Sequence, residues 1–289
     1  MTARAMRGNF LIAAAILLPL ASAAAGAQEW DKRLDVSFGA NQSHTRIHVN
    51  NDIYEKRNSG LEIRLDGALN RDTGASRWKN SLKLDYAGTK SKDETNPYNN
   101  PRWAESSDQL IADSVHRWKA GYIADPYAGL NLQTTVFDSN FKGEWAAFRP
   151  VQLRESLGLS VPIMDRGGND FTFRAGVFYQ HYVNRGNADR DPAPGLEFVL
   201  EYDGSLAKNI TFRSKAGMYS GLASVDDYGQ AETESRKAVL EWDNTMIISL
   251  TRVLCLNLTY NVDNKDVSDT NIGYEVDHRT TLALNWKVF

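Results

Sequence analysis

Apolar and polar residues alternate one by one along much of this chain, and this two-residue period is the feature that most restricts its fold. The first clear stretch alternates apolar Leu34, Val36, Phe38 and Ala40 with polar Arg33, Asp35 and Ser37. Successive side chains of a β-strand point to opposite faces, so the period predicts strands with one apolar face and one polar face.

The alternation recurs in about twelve stretches, which we predict to be strands. They are residues 32–40, 61–69, 78–86, 109–118, 128–136, 151–163, 171–179, 196–202, 210–218, 238–248, 254–262 and 272–289. The least regular is 109–118, where Leu110, Ala112 and Trp118 share a face with Ser114 and His116. We therefore predict an all-β chain of about twelve strands, and ten to fourteen strands are compatible with the pattern.

The mean hydropathy of -0.46 is typical of a soluble protein. Beyond the N-terminal segment no stretch is long and apolar enough to cross a bilayer as a helix. Strands that cross a membrane need only one apolar face, so a polar average is compatible with a transmembrane barrel.

The predicted connections alternate between long and short. The long ones are 41–58, 89–107, 138–149, 184–195, 220–235 and 262–271, and the short ones are 70–77, 119–126, 164–169, 203–208 and 249–252. Outer-membrane barrels combine long extracellular loops with short periplasmic turns. We therefore predict an antiparallel up-and-down transmembrane β-barrel with both termini in the periplasm.

The first 27 residues have the composition of a secretory signal peptide. Residues 1–7 are positive, residues 10–20 are apolar, and residues 25–27 are small. The apolar run is too short for the membrane anchor that is the alternative. We predict cleavage after Ala27, which leaves residues 28–289 as one outer-membrane barrel domain.

Aromatic residues on the apolar faces fall near the ends of the predicted strands. Amphipathic rings prefer the depth of the lipid headgroups, so we predict two girdles at the membrane interfaces. The predicted set is Trp78, Trp118, Phe171, Tyr202 and Trp286 at the periplasmic side, and Tyr86, Tyr179, Tyr260 and Tyr274 at the extracellular side. The alternative is that aromatic residues are simply common in strands.

The polar faces predict a lumen that contains charges of both signs. The predicted lumen-facing residues are Glu62, Arg64, Asp66, Lys83, Asp85, Arg154, Arg174, Glu197, Glu201, Arg213, Lys215, Glu241 and Asp243. Glu197 and Glu201 precede a strand that contains Arg213 and Lys215, so cross-strand ion pairs are expected. We infer a narrow, salt-bridged lumen in a structural or passive small-solute transport component; the alternative is an ordinary polar lumen with incidental pairing.

Several chemistries have little support in the sequence. The single Cys255 excludes an intramolecular disulfide and cysteine-based metal sites, and the net charge of -3 argues against a nucleic-acid partner. His44, His48 and Asp52 have the spacing of a metal site only if their segment is extended, and we predict no metal or cofactor. No serine and histidine have the spacing of a nucleophile and its base, so a lipid-modifying enzyme or hydrolase is only an alternative.

Two further folds or functions fit parts of the pattern. A periplasmic β-sandwich or lipocalin-like barrel also shows the two-residue period, but it buries its apolar face. A surface adhesion or binding protein would use the long segment 89–107, which contains Pro97, Tyr98 and Trp103.

Two segments resemble known bacterial outer-membrane proteins. The last strand ends in Phe289 and resembles the carboxyl-terminal signal that the barrel-assembly machinery recognises, although Trp286 and Val288 alternate out of phase with Phe289. Residues 78–86, with 107–110, resemble an uncharacterised, domain-of-unknown-function family of Gram-negative outer-membrane barrels. These resemblances imply an outer-membrane location, contact with its lipids and assembly by that machinery, but no activity.

Cell fractionation followed by gel electrophoresis of unheated and boiled samples tests the barrel prediction. We expect the protein in the outer-membrane fraction, with a gel mobility that changes on boiling because a closed barrel resists detergent until it is heated. A heat-insensitive band in the periplasmic fraction would contradict the prediction.

Overall fold

Twelve long strands form one closed antiparallel barrel in the computed structural model of the chain. The structure describes residues 30–49, 52–91, 102–138, 146–148, 151–183, 193–221, 238–263, 266–268, 271–272 and 274–287. No helix among these residues is long enough and apolar enough to cross a membrane. The prediction of an all-β, up-and-down barrel with twelve strands is confirmed.

The barrel strands are numbered in chain order. They are β1 (Asp31–Val49), β2 (Asp52–Asp72), β3 (Ser76–Ser91), β4 (Arg102–Trp118), β5 (Asp125–Thr134), β6 (Val151–Arg166), β7 (Asn169–Val183), β8 (Ala193–Ala207), β9 (Ile210–Gly221), β10 (Ala238–Ser249), β11 (Leu254–Asp263) and β12 (Tyr274–Lys287). Two short strand pairs lie outside the barrel. Phe137–Asp138 pairs with Ala146–Ala147, and Asp266–Ser268 pairs with Asn271–Ile272.

The barrel is closed by the pairing of its first and last strands. β1 and β12 are antiparallel in a continuous register that runs from Asp35 opposite Lys287 to His48 opposite Tyr274. Each remaining strand pairs with the next one along the chain. Closure removes the unpaired edge that an open sheet presents.

Five short turns lie at one end of the barrel, which we call the turn end; the opposite end is the loop end. One of the two connections of only two residues at this end joins β6 to β7 through Gly167 and Gly168, whose φ angles are 63° and 80°. Two successive residues in the left-handed region match the twist of a two-residue hairpin, and glycine adopts that conformation without steric cost. This turn agrees with the predicted short connection at 164–169.

The predicted long connections 41–58 and 89–107 were wrong over much of their length. β1 continues to Val49 and β2 begins at Asp52, with paired backbones throughout. β3 likewise continues to Ser91, and β4 begins at Arg102. The alternation fades in these extensions because residues on both strand faces are polar, whereas the backbone ladder needs no apolar face.

The outer surface of the barrel exposes large apolar side chains in cross-strand pairs. Phe38 is opposite both Leu284 and Ile63, and all three are more than two fifths exposed. The exposed apolar set also includes Leu61, Leu130, Leu157, Leu159, Val177, Leu196, Phe198, Leu200, Met218, Leu240 and Leu282. The polar residues that alternate with them point inward, so the barrel has an apolar outside and a polar inside.

Candidate functional site

The structure places the thirteen charged residues of the predicted lumen set on the inner face of the barrel. Glu62, Arg64, Asp85, Arg154, Arg174 and Glu197 are buried. Arg213 and Lys215 form ion pairs across the interior, and Glu201 lines a cavity inside the barrel. The strand register places the remaining four on the same inner face. Asp243 is opposite Lys215, and Glu241 lies two residues before Asp243 on the same strand. Asp66 lies two residues after Arg64 on β2, and Lys83 is opposite Asp66.

Three ion pairs join opposite walls of the barrel, and we call them the transverse pairs. Lys215 Nζ on β9 lies 3.0 Å from a carboxylate oxygen of Asp113 on β4. Arg213 on β9 lies 3.8 Å from Asp66 on β2, and Arg33 on β1 lies 3.6 Å from Asp203 on β8. Each pair joins strands that are five positions apart in a ring of twelve, so these side chains meet across the lumen.

The ion pairs of β8 and β9 differ from the expected ones. Glu201 is opposite Lys215 in register, but Glu201 lies 3.6 Å from Arg174 on β7. Lys215 instead reaches Asp113 across the lumen, and Glu197 accepts a hydrogen bond of 2.5 Å from the Tyr127 hydroxyl. Position in adjacent strands therefore did not identify the partners of Glu201 and Lys215, because long side chains in a barrel also reach more distant strands; Arg213, in contrast, also lies 3.6 Å from its register partner Asp203.

One wall of the lumen contains a compact hydrogen-bonded ion cluster. The Arg279 guanidinium on β12 donates to both carboxylate oxygens of Asp85 on β3, at 3.2 and 3.1 Å. Arg64 lies 4.0 Å from Asp85, and Glu62 accepts a 2.7 Å hydrogen bond from Thr281. These contacts connect β12, β2 and β3 across the closure of the barrel and compensate the buried charges.

Aromatic rings and arginines cover the facing wall. The Arg154 guanidinium lies 3.8 Å from the centre of the Tyr219 ring, which packs edge-on against Phe178. Tyr127 is 1% exposed and lies over Gly176, where an added Cβ would be 2.6 Å from the tyrosine hydroxyl. A glycine at that position therefore makes room for a bulky side chain inside the lumen.

A cavity of about 300 Å³ lies inside the barrel on the turn-end side of the Lys215–Asp113 pair. Around its mouth, Arg77 pairs with Asp165 at 2.6 Å and with Asp170 at 2.8 Å, and Lys79 also pairs with Asp170. Arg174 and Glu201 line the cavity wall between this mouth and the transverse pair. The lumen thus contains a charged chamber whose lining includes Lys215 and Asp113.

The predicted interface aromatics lie at the two ends of the barrel where their side chains are described. Trp118 ends β4 and Trp286 lies near the end of β12, and about half of each side chain is exposed. Trp78, Phe171 and Tyr202 also lie toward the turn end, whereas Tyr86, Tyr179 and Tyr260 lie toward the loop end. The side chain of Tyr274 and the whole of Phe289 lie outside the described residues, as do residues 1–29.

The histidine candidates do not assemble a metal site among the residues that the structure describes. The His44 ring packs edge-on against His278 with 4.9 Å between the ring centres, and His278 is exposed on the outer face. The side chains of His48 and Asp52 are outside the described set. His116 lies between Trp78 and Trp118, with ring-centre distances of 6.0 and 4.7 Å.

Several inward residues that matter for this geometry were absent from the predicted lumen set. They are Arg33, Asp35, Arg77, Lys79, Asp113, Tyr127, Asp170, Asp203 and Arg279. Asp113 is next to Ala112, and Arg279 is three residues before Leu282, so each points to the face opposite the apolar residue. The alternation would therefore have identified both as lumen-facing. Tyr127 shares the inner face of β5 with Asp125 and Asn131, but we expected aromatic residues only on the outer face.

No protein-family model and no curated protein matches the chain, so the resemblance to an uncharacterised family stays a prediction. Among solved structures, the chain is similar to the translocator domain of the autotransporter NalP from Neisseria meningitidis, with 12% identity over 96% of this chain and 97% of that one, and a TM-score of 0.36. It is also similar to an outer-membrane channel from Pseudomonas putida F1, with 10% identity, coverage of 89% and 97%, and a TM-score of 0.45.

A third similar structure is an anion-selective porin from Comamonas acidovorans. The identity is 9%, the coverage is 89% of this chain and 100% of the porin, and the TM-score is 0.38. The likeness of these structures to the chain concerns the fold alone.

Replacing Asp85 tests how strongly the wall cluster stabilises the barrel. Asp85→Ala leaves Arg279 and Arg64 without their shared carboxylate, and we expect a loss on the order of 3 kcal/mol in the free energy of unfolding. Asp72→Ala is the matched control, because Asp72 also pairs with two cations but is about half exposed; its expected loss is below about 1 kcal/mol. Urea unfolding in lipid vesicles, followed by tryptophan fluorescence, measures both, and equal losses would contradict the role of the cluster.

Proposed function

We propose that this protein is an outer-membrane β-barrel that passes small solutes passively through a narrow, salt-bridged lumen. The transverse pairs are the observation on which the proposal depends, because they bring opposite charges from distant strands together across the lumen. The proposal includes a cleaved signal peptide, periplasmic termini and assembly by the barrel-assembly machinery.

The outer surface supports a membrane location. A soluble protein rarely exposes a continuous apolar surface, whereas a barrel in lipid needs one. Leu157 is 61% exposed, and its register partner Val177 is 52% exposed. These side chains form an apolar band between aromatic residues at the two ends, as contact with outer-membrane lipids requires.

The closed backbone supports the same location. Lipid offers no hydrogen bonds to an exposed amide or carbonyl, so a sheet can cross a membrane only when its edges are paired. The β1–β12 ladder provides this pairing from Asp35 to His48. A soluble β-sandwich, which hides its apolar face in a core, does not fit a barrel whose polar face is inside.

The transverse pairs limit what the lumen can pass. Barrels of roughly eight strands are filled by side chains, whereas those of roughly sixteen to eighteen strands enclose aqueous channels. Twelve strands lie between these cases, and here long charged side chains occupy the middle. Because both signs line the lumen, we infer weak selection by solute charge at the constriction itself.

The loops provide a second candidate function as a surface-binding protein. The segment 89–107, on which that alternative depends, lies partly outside the described residues. The extension of β3 and β4 at the loop end would hold such a loop away from the membrane. Passive transport remains the proposal that the described geometry favours.

Single-channel recording in planar bilayers tests the proposed transport. We expect wild-type protein to show openings much smaller than those of an open porin measured in the same membrane, because the transverse pairs occupy the lumen. The double variant Asp113→Ala/Lys215→Ala should show a larger unitary conductance, since it removes both side chains of the central pair.

The matched control is Asp72→Ala/Lys119→Ala, which removes an ion pair at the turn end and leaves the constriction intact. This variant should conduct like the wild type. Stable wild-type openings of porin size would contradict the narrow lumen, and an unchanged conductance in the central double variant would show that the pair does not limit passage.

A further inference from the structure

The cavity near the turn end contains an arginine with unused hydrogen-bonding capacity. Arg174 is 7% exposed and lines the cavity, and its buried Nε–H has no hydrogen-bond partner among the residues that the structure describes. Its contacts are a 3.6 Å ion pair with Glu201 and the face of the Tyr127 ring at 5.5 Å. A buried guanidinium has five N–H donors, so a group that accepts several of them is energetically favoured beside it.

The Glu201 carboxylate likewise has unused capacity to accept hydrogen bonds. Its carboxylate lines the same cavity, and its one ion pair within the described part of the chain is that with Arg174. Glu201 and Arg174 are diagonal neighbours on β8 and β7, because Glu201 is opposite Thr172. A strong anion binder and a cation binder therefore lie side by side in one chamber.

We propose that this chamber binds a small zwitterion of the α-amino-acid class, with the ligand carboxylate on Arg174 and the ligand ammonium on Glu201. The planar guanidinium donates two parallel hydrogen bonds to a carboxylate. An α-amino acid holds its carboxylate and ammonium on one carbon, so both groups can reach these adjacent side chains. The inference rests on the proposed transport function and names its substrate class.

The charge of the chamber favours a zwitterion over a simple ion. Lys79 and Lys215 line the cavity and would repel a ligand with only positive charge, whereas Asp113 and Asp203 would repel one with only negative charge. The volume of about 300 Å³ is at the lower end for small-molecule sites, so the ligand is small.

Isothermal titration calorimetry of the full-length barrel in detergent micelles tests the inference with three probes of matched size. The probes are L-alanine, propionate, which lacks the ammonium, and ethylammonium, which lacks the carboxylate. We expect alanine to bind at least about tenfold more tightly than either ion, since each lost charged hydrogen bond costs that much or more. Tighter binding of propionate or ethylammonium, or no saturable binding of alanine, would overturn the proposal.

Two variants locate the site. Arg174→Gln should lower the affinity for alanine at least about tenfold, because the carboxylate loses its charged partner. Glu201→Gln should remove the preference for alanine over propionate, an effect that general destabilisation would not produce. Arg154→Gln is the control: Arg154 also faces inward, on the neighbouring strand β6, but its guanidinium packs against Tyr219, and the variant should bind alanine like the wild type.

Heat-modifiable gel mobility shows whether each variant remains a folded barrel, and the comparison of probes on the wild type does not depend on any variant. Alanine binding without channel activity would contradict passive transport and leave the chamber assignment intact. Channel activity without a preference for alanine would contradict the chamber assignment alone.

Discussion

The pairing of β1 with β12 is the contact on which the rest of the barrel depends. It closes the backbone ladder and thereby fixes which face of every strand is inside. Successive side chains point to opposite faces of a strand, so in the closed barrel Phe38 and Leu284 point outward and Asp35 points inward. An open sheet with the same sequence would leave the amides of its edge strands without hydrogen-bond partners in a membrane and would expose its apolar face in water.

Closure at twelve strands then determines the chemistry of the interior. Arginine and lysine side chains are long enough to cross much of this lumen, so Lys215 meets Asp113 and Arg213 meets Asp66. Charges that face one another inside a barrel stabilise the walls only when they are paired, because an uncompensated buried charge is costly. The same pairs that hold the walls together also restrict the path between the two ends.

The sequence predicted the strand number and the up-and-down barrel, because the period of two marks the strands and the alternation of long and short connections indicates how they are joined. It did not predict that β1 continues beyond residue 40 or that β2 begins before residue 61. Both faces of these extensions are polar, so the alternation is lost while the backbone pairing continues. The partners of Glu201 and Lys215 were also missed. They depend on the curvature and width of the barrel, which set distances between strands that are far apart in the chain.

The coupling free energy between Asp113 and Lys215 tests most directly whether opposite walls are joined through the lumen. It is obtained from unfolding measurements in vesicles on the wild type, Asp113→Ala, Lys215→Ala and the double variant. Contact at 3.0 Å predicts that the double variant loses less stability than the sum of the single variants, by about 1–2 kcal/mol. Additive losses would contradict the contact, and with it the proposal of a lumen narrowed by paired charges.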